Sequence, residues 1–261
     1  MALNPPPQAL AAPTLAHRAA WAVALGLSPL LYAQGKWVRR QVPRLPHAPS
    51  PWEGERPGPS PLSVLGVGDS TIAGVGVKDP LHGLVPQFSL ALHEKTQRGV
   101  SWRSVGESGA TSKDILGRFL TPALSSPADV VIVSLGANDA KDLKPLGATV
   151  SRFERLLTVL HDGHPEAVLI FSSLPAFYLF PTLPQPLRGI IYAHAQAIER
   201  SIRPLIESFP FAMMSPPPTG YHDTFFAVDG FHPSEDGYRD WARFALEDAL
   251  ERGALEALSA R

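Results

Sequence analysis

Four short groups of residues in this chain contain side chains or backbone positions that could do chemistry. They are Gly68-Asp69-Ser70, Ser108-Gly109, Gly136-Ala137-Asn138-Asp139 and Asp229-Gly230-Phe231-His232-Pro233. A serine hydroxyl is a weak nucleophile at neutral pH unless a base takes its proton and a further group orients that base. His232 is the leading candidate base for Ser70, because Asp229 lies three residues earlier and side chains at that spacing share one side of a turn.

Attack of a hydroxyl on an ester produces a tetrahedral oxyanion, which needs hydrogen-bond donors aimed at the developing charge. Three donors are available in these groups: the backbone N–H of Ser70, the backbone N–H of Gly109 and the side-chain amide of Asn138. Each group taken singly also has a simpler interpretation, since Asp229 could cap a turn beside a surface His232, and Gly109 and Asn138 are common turn residues. Only their joint placement favours a catalytic site.

The elements that must position these groups can be predicted from the hydrophobic pattern. Buried strands are expected at 62–67, 100–105, 130–135 and 167–174, with a further short apolar run at 211–214. Helices are expected around 88–95, after Ser112, and at 151–161, 189–207 and 237–258. This alternation predicts an α/β fold, a three-layer α/β/α sandwich around a central parallel sheet. Because ligands bind beyond the carboxyl ends of parallel strands, the four groups could converge on one cleft.

In order and spacing, the four groups resemble the successive motif blocks of the SGNH (GDSL) hydrolase superfamily. The resemblance runs from Leu62 to the last helix and implies a flavodoxin-like fold that hydrolyses carboxylic esters without a metal or other cofactor. It assigns Ser70 as nucleophile, His232 as base, Asp229 as the partner of His232, and Ser70, Gly109 and Asn138 as oxyanion donors. The chain departs from the family pattern at Thr71, where leucine often follows the serine, and at Gly106, where asparagine is often found.

Composition excludes other classes of protein. The 261 residues are 44% hydrophobic with a formal net charge of -1, so we expect one ordinary core and no nucleic-acid partner. Cysteine is absent, which excludes disulfides, thiolate catalysis and cysteine metal sites. The chain also lacks the Gly-x-Ser-x-Gly pentapeptide of α/β-hydrolases, the third glycine of a dinucleotide loop and a P-loop.

Proline is unusually abundant, with 28 residues, and nearly half of them precede Leu62. We therefore expect residues 1–61 to be an apolar segment and an extended Pro-rich tether, and residues 62–261 to be the catalytic domain. The stretch 19–35 is uncharged and is flanked by Arg18 and by Lys36, Arg39 and Arg40. It could pack on the domain, lie on a membrane surface, anchor the chain as a single span or be a cleaved signal. A cytoplasmic or membrane-associated location is favoured over secretion.

The sequence says less about the substrate. Phe177, Tyr178, Leu179 and Phe180 follow the strand at 167–174, where they could line an acyl pocket or pack the Pro-rich loop on the core. We predict a serine esterase that forms an acyl-enzyme from small-molecule or lipid esters of short to medium acyl chains. The alternatives are a carbohydrate O-deacetylase or an acyltransferase on the same site and, more remotely, a non-catalytic binding module on the same fold.

Overall fold

The computed structural model describes residues 24–217 and 221–259, and its centre is a six-stranded sheet. The strands are β1 (Glu53–Arg56), β2 (Leu62–Gly68), β3 (Val100–Gly106), β4 (Val130–Ser134), β5 (Val168–Ser172) and β6 (Ala212–Ser215). Their order across the sheet is β1-β3-β2-β4-β5-β6. All neighbours from β3 to β6 pair in parallel, and β1 pairs with β3 in antiparallel orientation at one edge.

The helices surround this sheet. They are α1 (Ser28–Gln41), α2 (Leu84–Thr96), α3 (Ser112–Asp114), α4 (Leu120–Ala123), α5 (Ala137–Lys141), α6 (Leu146–Gly163), α7 (Leu187–Glu207), α8 (Glu235–Glu251) and α9 (Glu256–Ser259). A π-helical turn, Ile115–Phe119, joins α3 to α4, and short 3₁₀ helices occupy Pro80–His82 and Phe177–Leu179. The last helix is shorter than the sequence pattern predicts, because the chain turns after Glu251 through Gly253, whose φ is +68°.

Two apolar layers on opposite faces of the sheet explain the near-continuous hydrophobic runs of its strands. In β4, Val130 and Ile132 join a core cluster with α2 and α8, whereas Val131 and Val133 join a second cluster with α6 and α7. Successive strand residues point to opposite faces, so a strand covered by helices on both sides must be apolar at every position. The predicted three-layer α/β/α sandwich is confirmed, and the parallel strands follow the flavodoxin-like order.

The carboxyl ends of the central strands are aligned by close backbone contacts at Gly68. This glycine pairs with Gly106 of β3 on one side and with Ser134 of β4 on the other. A Cβ at position 68 would overlap the carbonyl oxygen of Ser134, so a larger residue would push β4 away. The loops after β2, β3 and β4 consequently start side by side.

Residues 42–61 are more closely attached to the rest of the chain than an extended tether would be. Glu53–Arg56 extends the sheet as β1, where an edge position tolerates the neighbouring prolines, and Ala48 is buried in the core cluster with α2 and α8. Helix α1 packs on α7 through Leu31 and Ile190. Hydrophobic contacts and sheet pairing thus hold this segment to the following residues, while the division into 1–61 and 62–261 stays a prediction.

The apolar stretch 19–35 lies partly outside the described residues. Its described part consists of the helical residues 24–26, a turn at Leu27 and the first part of α1. Within residues 24–217 and 221–259, no helix is both long enough and apolar enough to cross a membrane.

Candidate active site

A narrow cavity opens at the carboxyl ends of the parallel strands, where the sheet order predicts a ligand site. Ser70 and His232 both line it, although they are far apart in the chain. Its volume is about 50 Å³. A water-sized group needs roughly 10–15 Å³ of such space, so the cavity holds on the order of three to five non-hydrogen atoms.

Asp229 and His232 lie in one turn and form a direct pair. The Oδ2 atom of Asp229 is 2.6 Å from Nδ1 of His232, and the Oδ1 atom accepts from the backbone N–H groups of Phe231 and His232 at 2.9 and 3.0 Å. Burial by itself raises the pKa of the Asp229 carboxyl, but hydrogen bonds from His232 and its charge outweigh burial and hold that pKa below its usual value. A carboxylate can only accept, so Nδ1 carries a proton and Nε2 remains free to act as a base.

The turn that contains His232 is fixed by the helix that follows it. Ser234 caps α8 by accepting from the N–H of Gly237 at 3.1 Å, and its own N–H donates to the carbonyl of Phe225 at 2.8 Å. The N–H of Ala227 donates to the carbonyl of His232 at 2.8 Å. These bonds limit the movement of the imidazole relative to α8 and to the loop that contains Phe225 and Ala227.

Ser70 begins the tight turn that follows β2. Its carbonyl accepts from the N–H of Val75 at 2.9 Å, which closes the turn, and the residue is almost fully buried. Among the described residues, no hydrogen bond is made by the N–H of Ser70. That N–H is therefore free to bind an oxygen atom of a ligand.

Gly109 lies in the loop after β3 with a φ of +86°, a conformation that favours glycine. The residues on either side are held, because the Ser108 N–H donates to Nε2 of His47 at 3.2 Å and the Ala110 N–H donates to the carbonyl of Glu107 at 3.0 Å. The N–H of Gly109 itself has no acceptor within the described part of the chain.

Asn138, in α5, connects the loops after β2, β3 and β4. Its Nδ2 group donates to the carbonyl of Ala110 at 3.0 Å and to Oδ2 of Asp69 at 3.3 Å. Neither Asn138 nor Gly109 lines the cavity itself, and of the two only Asn138 has a recorded contact with a neighbour of Ser70, through Asp69. The bond to Asp69 is long, so the amide could exchange it for a shorter bond to a ligand oxygen.

Asp69 is a buried carboxylate directly beside Ser70, and sequence reasoning gave it no role. Its Oδ1 atom accepts from the N–H and hydroxyl of Thr71, both at 3.2 Å. Burial raises the pKa of the Asp69 carboxyl from 3.8 to about 6, against the hydrogen bonds from Thr71 and the charge of His232. Asp69 thus joins the turn of Ser70 to Asn138, a contact that only the sheet order brings about.

Asp139 is a second buried carboxylate near the site that was not predicted from the sequence, and it makes two hydrogen bonds to Ser112. Its Oδ2 and Oδ1 atoms accept from the N–H and hydroxyl of Ser112 at 2.8 and 2.7 Å. Burial raises the pKa of the Asp139 carboxyl, while the two bonds from Ser112 oppose that shift. Asp139 follows Asn138 in the chain, and Ser112 follows the loop that contains Gly109. The two hydrogen bonds between Asp139 and Ser112 therefore fix the position of Asn138 relative to the Gly109 loop.

Aromatic side chains from two distant loops and from α8 form the wall of the cavity. Of the four residues expected there or in the core, Phe180 lines the cavity, Phe177 is buried in the core, and Tyr178 and Leu179 are exposed. The remaining aromatic lining was missed from the sequence and consists of Tyr221, Phe225, Phe226, Phe231 and Trp241. The density of aromatic residues between positions 221 and 231 was the available signal.

The described residues contain no group of three or more His, Asp or Glu side chains arranged to hold a metal ion.

The fold and the cavity together define a class of protein. It is an α/β/α sandwich with flavodoxin-like strand order, in which a serine, a histidine and a carboxylate lie at the carboxyl edge of the sheet. Hydrolases are among the enzymes that use such a set of side chains.

Comparison with known proteins defines the family. Residues 67–239, about two thirds of the chain, match the GDSL-like lipase/acylhydrolase family, and the chain belongs to that family. A GDSL-like esterase of Mycobacterium tuberculosis is 25% identical over 250 residues, which cover 87% of this chain and 78% of the relative. The resemblance to SGNH hydrolases is therefore confirmed, and the protein is a carboxylic ester hydrolase.

Solved structures support the same fold. A lipase from a goat rumen metagenome superposes with a TM-score of 0.58 at 18% identity, covering 72% of this chain and 97% of that structure. An acetylxylan esterase from Geobacillus stearothermophilus superposes with a TM-score of 0.55 at 16% identity, covering 73% of this chain and 94% of that structure.

Proposed function

We propose that this ester hydrolase acts through Ser70 as nucleophile, His232 as general base and Asp229 as the group that orients and stabilises His232. The observation that carries the proposal is that Ser70 and His232 line one cavity while Nδ1 of His232 is bonded to Asp229 at 2.6 Å. That bond leaves Nε2 as the nitrogen available to the serine hydroxyl.

In the first half of the reaction, Oγ of Ser70 forms a bond to the ester carbonyl carbon as Nε2 of His232 takes the hydroxyl proton. The electron pair of the C=O double bond moves onto the carbonyl oxygen, which is stabilised by the N–H groups of Ser70 and Gly109 and by the amide of Asn138. When the pair returns, the ester C–O bond breaks, and His232 gives its proton to the departing alcohol.

In the second half, water replaces the alcohol. His232 takes a proton from water as its oxygen attacks the acyl carbon, and a second tetrahedral oxyanion forms in the same place. Collapse of that intermediate breaks the bond to Oγ of Ser70, His232 returns the proton to Oγ, and the carboxylic acid leaves. Asp229 stays ionised throughout and stabilises the imidazolium of His232.

The cavity favours short acyl chains. Its wall is largely aromatic and apolar, and its volume of about 50 Å³ is enough for an acetyl to butyryl group. Acetylated carbohydrates are a second candidate substrate, since an acetyl group fits the same space and a fold neighbour is an acetylxylan esterase. A transfer of the acyl group to a sugar hydroxyl would use the same residues.

The nucleophile can be tested with Ser70→Ala and a matched control, Ser173→Ala, which removes another serine hydroxyl from the lining of the same cavity. Hydrolysis of p-nitrophenyl acetate should fall by about 10³-fold or more in Ser70→Ala and persist in Ser173→Ala. A fluorophosphonate probe followed by peptide mass spectrometry should label Ser70. Undiminished turnover in Ser70→Ala, or a label on Ser173, would refute the assignment.

Substrate class can be tested separately with the wild-type protein. A series of p-nitrophenyl esters should show kcat/KM decreasing once the acyl chain exceeds about four carbons, because the cavity has no room for a longer chain. Acetylated xylan in the same assay compares carbohydrate and simple esters. Equal rates for acetyl and dodecanoyl esters would contradict the short-acyl proposal while leaving the catalytic residues unaffected.

A further inference from the structure

We propose that the N-terminal helix α1 and the residues on either side of it dock this protein on the surface of an anionic lipid bilayer. The docking face is the solvent-exposed side of this segment, opposite the packed Leu31. Around it are distributed the exposed apolar side chains Leu25, Leu30, Tyr32 and Trp37 and the basic side chains Lys36, Arg39, Arg40 and Arg44. This inference does not depend on the proposed catalytic residues.

Exposed apolar side chains are concentrated at this face. In the part of the chain that the structure describes, nine large hydrophobic side chains are exposed, and Leu25, Leu30, Tyr32 and Trp37 are four of them. Tyr32 and Trp37 are 67% and 53% exposed, although burial of such large rings is normally favourable. Tyrosine and tryptophan are typical of membrane–water interfaces, where one end of the ring is apolar and the other is hydrated.

The opposite side of α1 already packs against α7, so the exposed side chains are not needed for contact with the core. Leu31 is buried against Ile190 of α7. Gln34 makes two hydrogen bonds at the start of α7. Its Nε2 donates to the carbonyl of Gln185, before the helix, at 2.6 Å, and its Oε1 accepts from the N–H of Leu187, the first residue of the helix, at 3.2 Å. The helix is therefore held in one orientation that presents the docking face to solvent.

The charge distribution favours an anionic partner. Residues 1–52 contain five of the 23 basic residues and none of the 24 acidic residues, so their formal charge is +5 while that of residues 53–261 is -6. Within residues 24–217 and 221–259, Lys36, Arg39, Arg40 and Arg44 form no ion pair with a carboxylate. Each cation near an anionic lipid surface contributes about 1 kcal/mol of binding free energy.

A bilayer fits this face better than a second copy of the chain does. Two copies paired through this face would bring two sets of four cations together, and their repulsion would oppose the apolar contact. A bilayer accepts the apolar rings below its headgroups and places anionic phosphates beside the cations. Gln185, which holds α1, belongs to the same connection, residues 175–186, as Pro175 and Phe180 of the cavity wall.

Vesicle flotation of the full chain tests the proposal. The vesicles are phosphatidylcholine alone, or phosphatidylcholine mixed with phosphatidylglycerol, at low and high salt. The protein should float with the anionic vesicles and not with the neutral ones, and high salt should weaken binding. The triple variant Lys36→Gln, Arg39→Gln, Arg40→Gln should lower the partition coefficient roughly 100-fold, since three cations are removed.

A matched control removes the same charge elsewhere. Lys95→Gln, Arg155→Gln and Arg200→Gln replace three exposed cations away from α1, and this variant should bind like the wild type. The apolar variant Leu30→Ser, Tyr32→Ser, Trp37→Ser should also lose binding, because electrostatic attraction alone would be weak and fully sensitive to salt. Hydrolysis of p-nitrophenyl acetate in solution and circular dichroism show that each variant is folded.

Three results would overturn the proposal. Equal binding to neutral and anionic vesicles would exclude the role of the cations. Equal loss of binding in the control variant would show that net charge, and not this face, attracts the lipid. A dimer in light scattering that the apolar variant abolishes would assign the face to a second copy of the chain.

Discussion

Asp69 offers a direct test of the electrostatics beside Ser70. Its carboxyl is 2% exposed, and its pKa is raised from 3.8 to about 6, mainly because burial penalises the charged form. A carboxyl whose pKa is higher in the folded state binds more protons when folded. The free energy of unfolding should therefore decrease as the pH rises from about 4 to above 6.

The size of this effect follows from the shift. A difference of about two pKa units at about 1.4 kcal/mol each corresponds to roughly 3 kcal/mol over the whole titration, from a pH well below 3.8 to a pH well above 6. Asp69→Asn removes the titration and also the acceptor for Asn138, a loss that does not change with pH. The difference in unfolding free energy, variant minus wild type, should thus rise by about 2.5 kcal/mol between pH 4 and pH 8, since part of the titration of the unfolded state lies below pH 4.

Urea unfolding followed by tryptophan fluorescence at several pH values measures this difference. Asp162→Asn, which replaces an exposed carboxylate, is the matched control. Other groups titrate in both proteins, so their contributions to the unfolding free energy cancel in the difference between variant and wild type. His232 and Lys141 are exceptions, because their charges interact with Asp69. A difference that stays constant within about 0.5 kcal/mol over this range would refute the desolvation argument.

Two further substitutions test the loops around the site. Gly109→Ala should cost about 1–2 kcal/mol of stability or shift the backbone away from φ of +86°, and kcat/KM should fall at least about tenfold as the N–H changes direction. Gly147→Ala, at a helical glycine with open space around it, is the control, and equal activity of the two variants would contradict the proposal. Asp139→Ala should lower the unfolding free energy by about 2–3 kcal/mol, since the Ser112 N–H loses its acceptor in a buried place. Asp139→Asn should recover most of that loss, because an amide can accept from the N–H and donate to the hydroxyl oxygen; an equal loss in both variants would show that charge, not hydrogen bonding, is decisive.

The strands of the parallel sheet could be predicted closely from the sequence. Val130–Ser134 and Val168–Ser172 are short apolar runs whose ends coincide with turn residues, and burial on both faces leaves no other composition for such strands. The antiparallel strand Glu53–Arg56 could not be predicted in this way. It is short, polar and at the edge of the sheet, so its pairing with β3 is set by backbone hydrogen bonds and not by an apolar pattern.

The candidate site likewise contains contacts that could be predicted from the sequence and contacts that could not. Asp229 and His232 are three residues apart, so local turn geometry suffices to bring the carboxylate to the imidazole. The contact between Asp69 and Asn138 joins residues 69 positions apart and exists only because β2 and β4 are neighbours in the sheet. A long-range contact of this kind leaves no periodic signal in the sequence.

The sequence by itself determined the layer architecture and the family motifs, because burial on both faces of a strand and tight turns impose residue types locally. Tertiary structure decided which groups surround those motifs: the aromatic wall from residues 221–231, the buried acceptor Asp69, and the attachment of α1 through Gln34. These features depend on packing between distant segments, where the free energy is shared among many contacts and no single stretch of sequence specifies the partner.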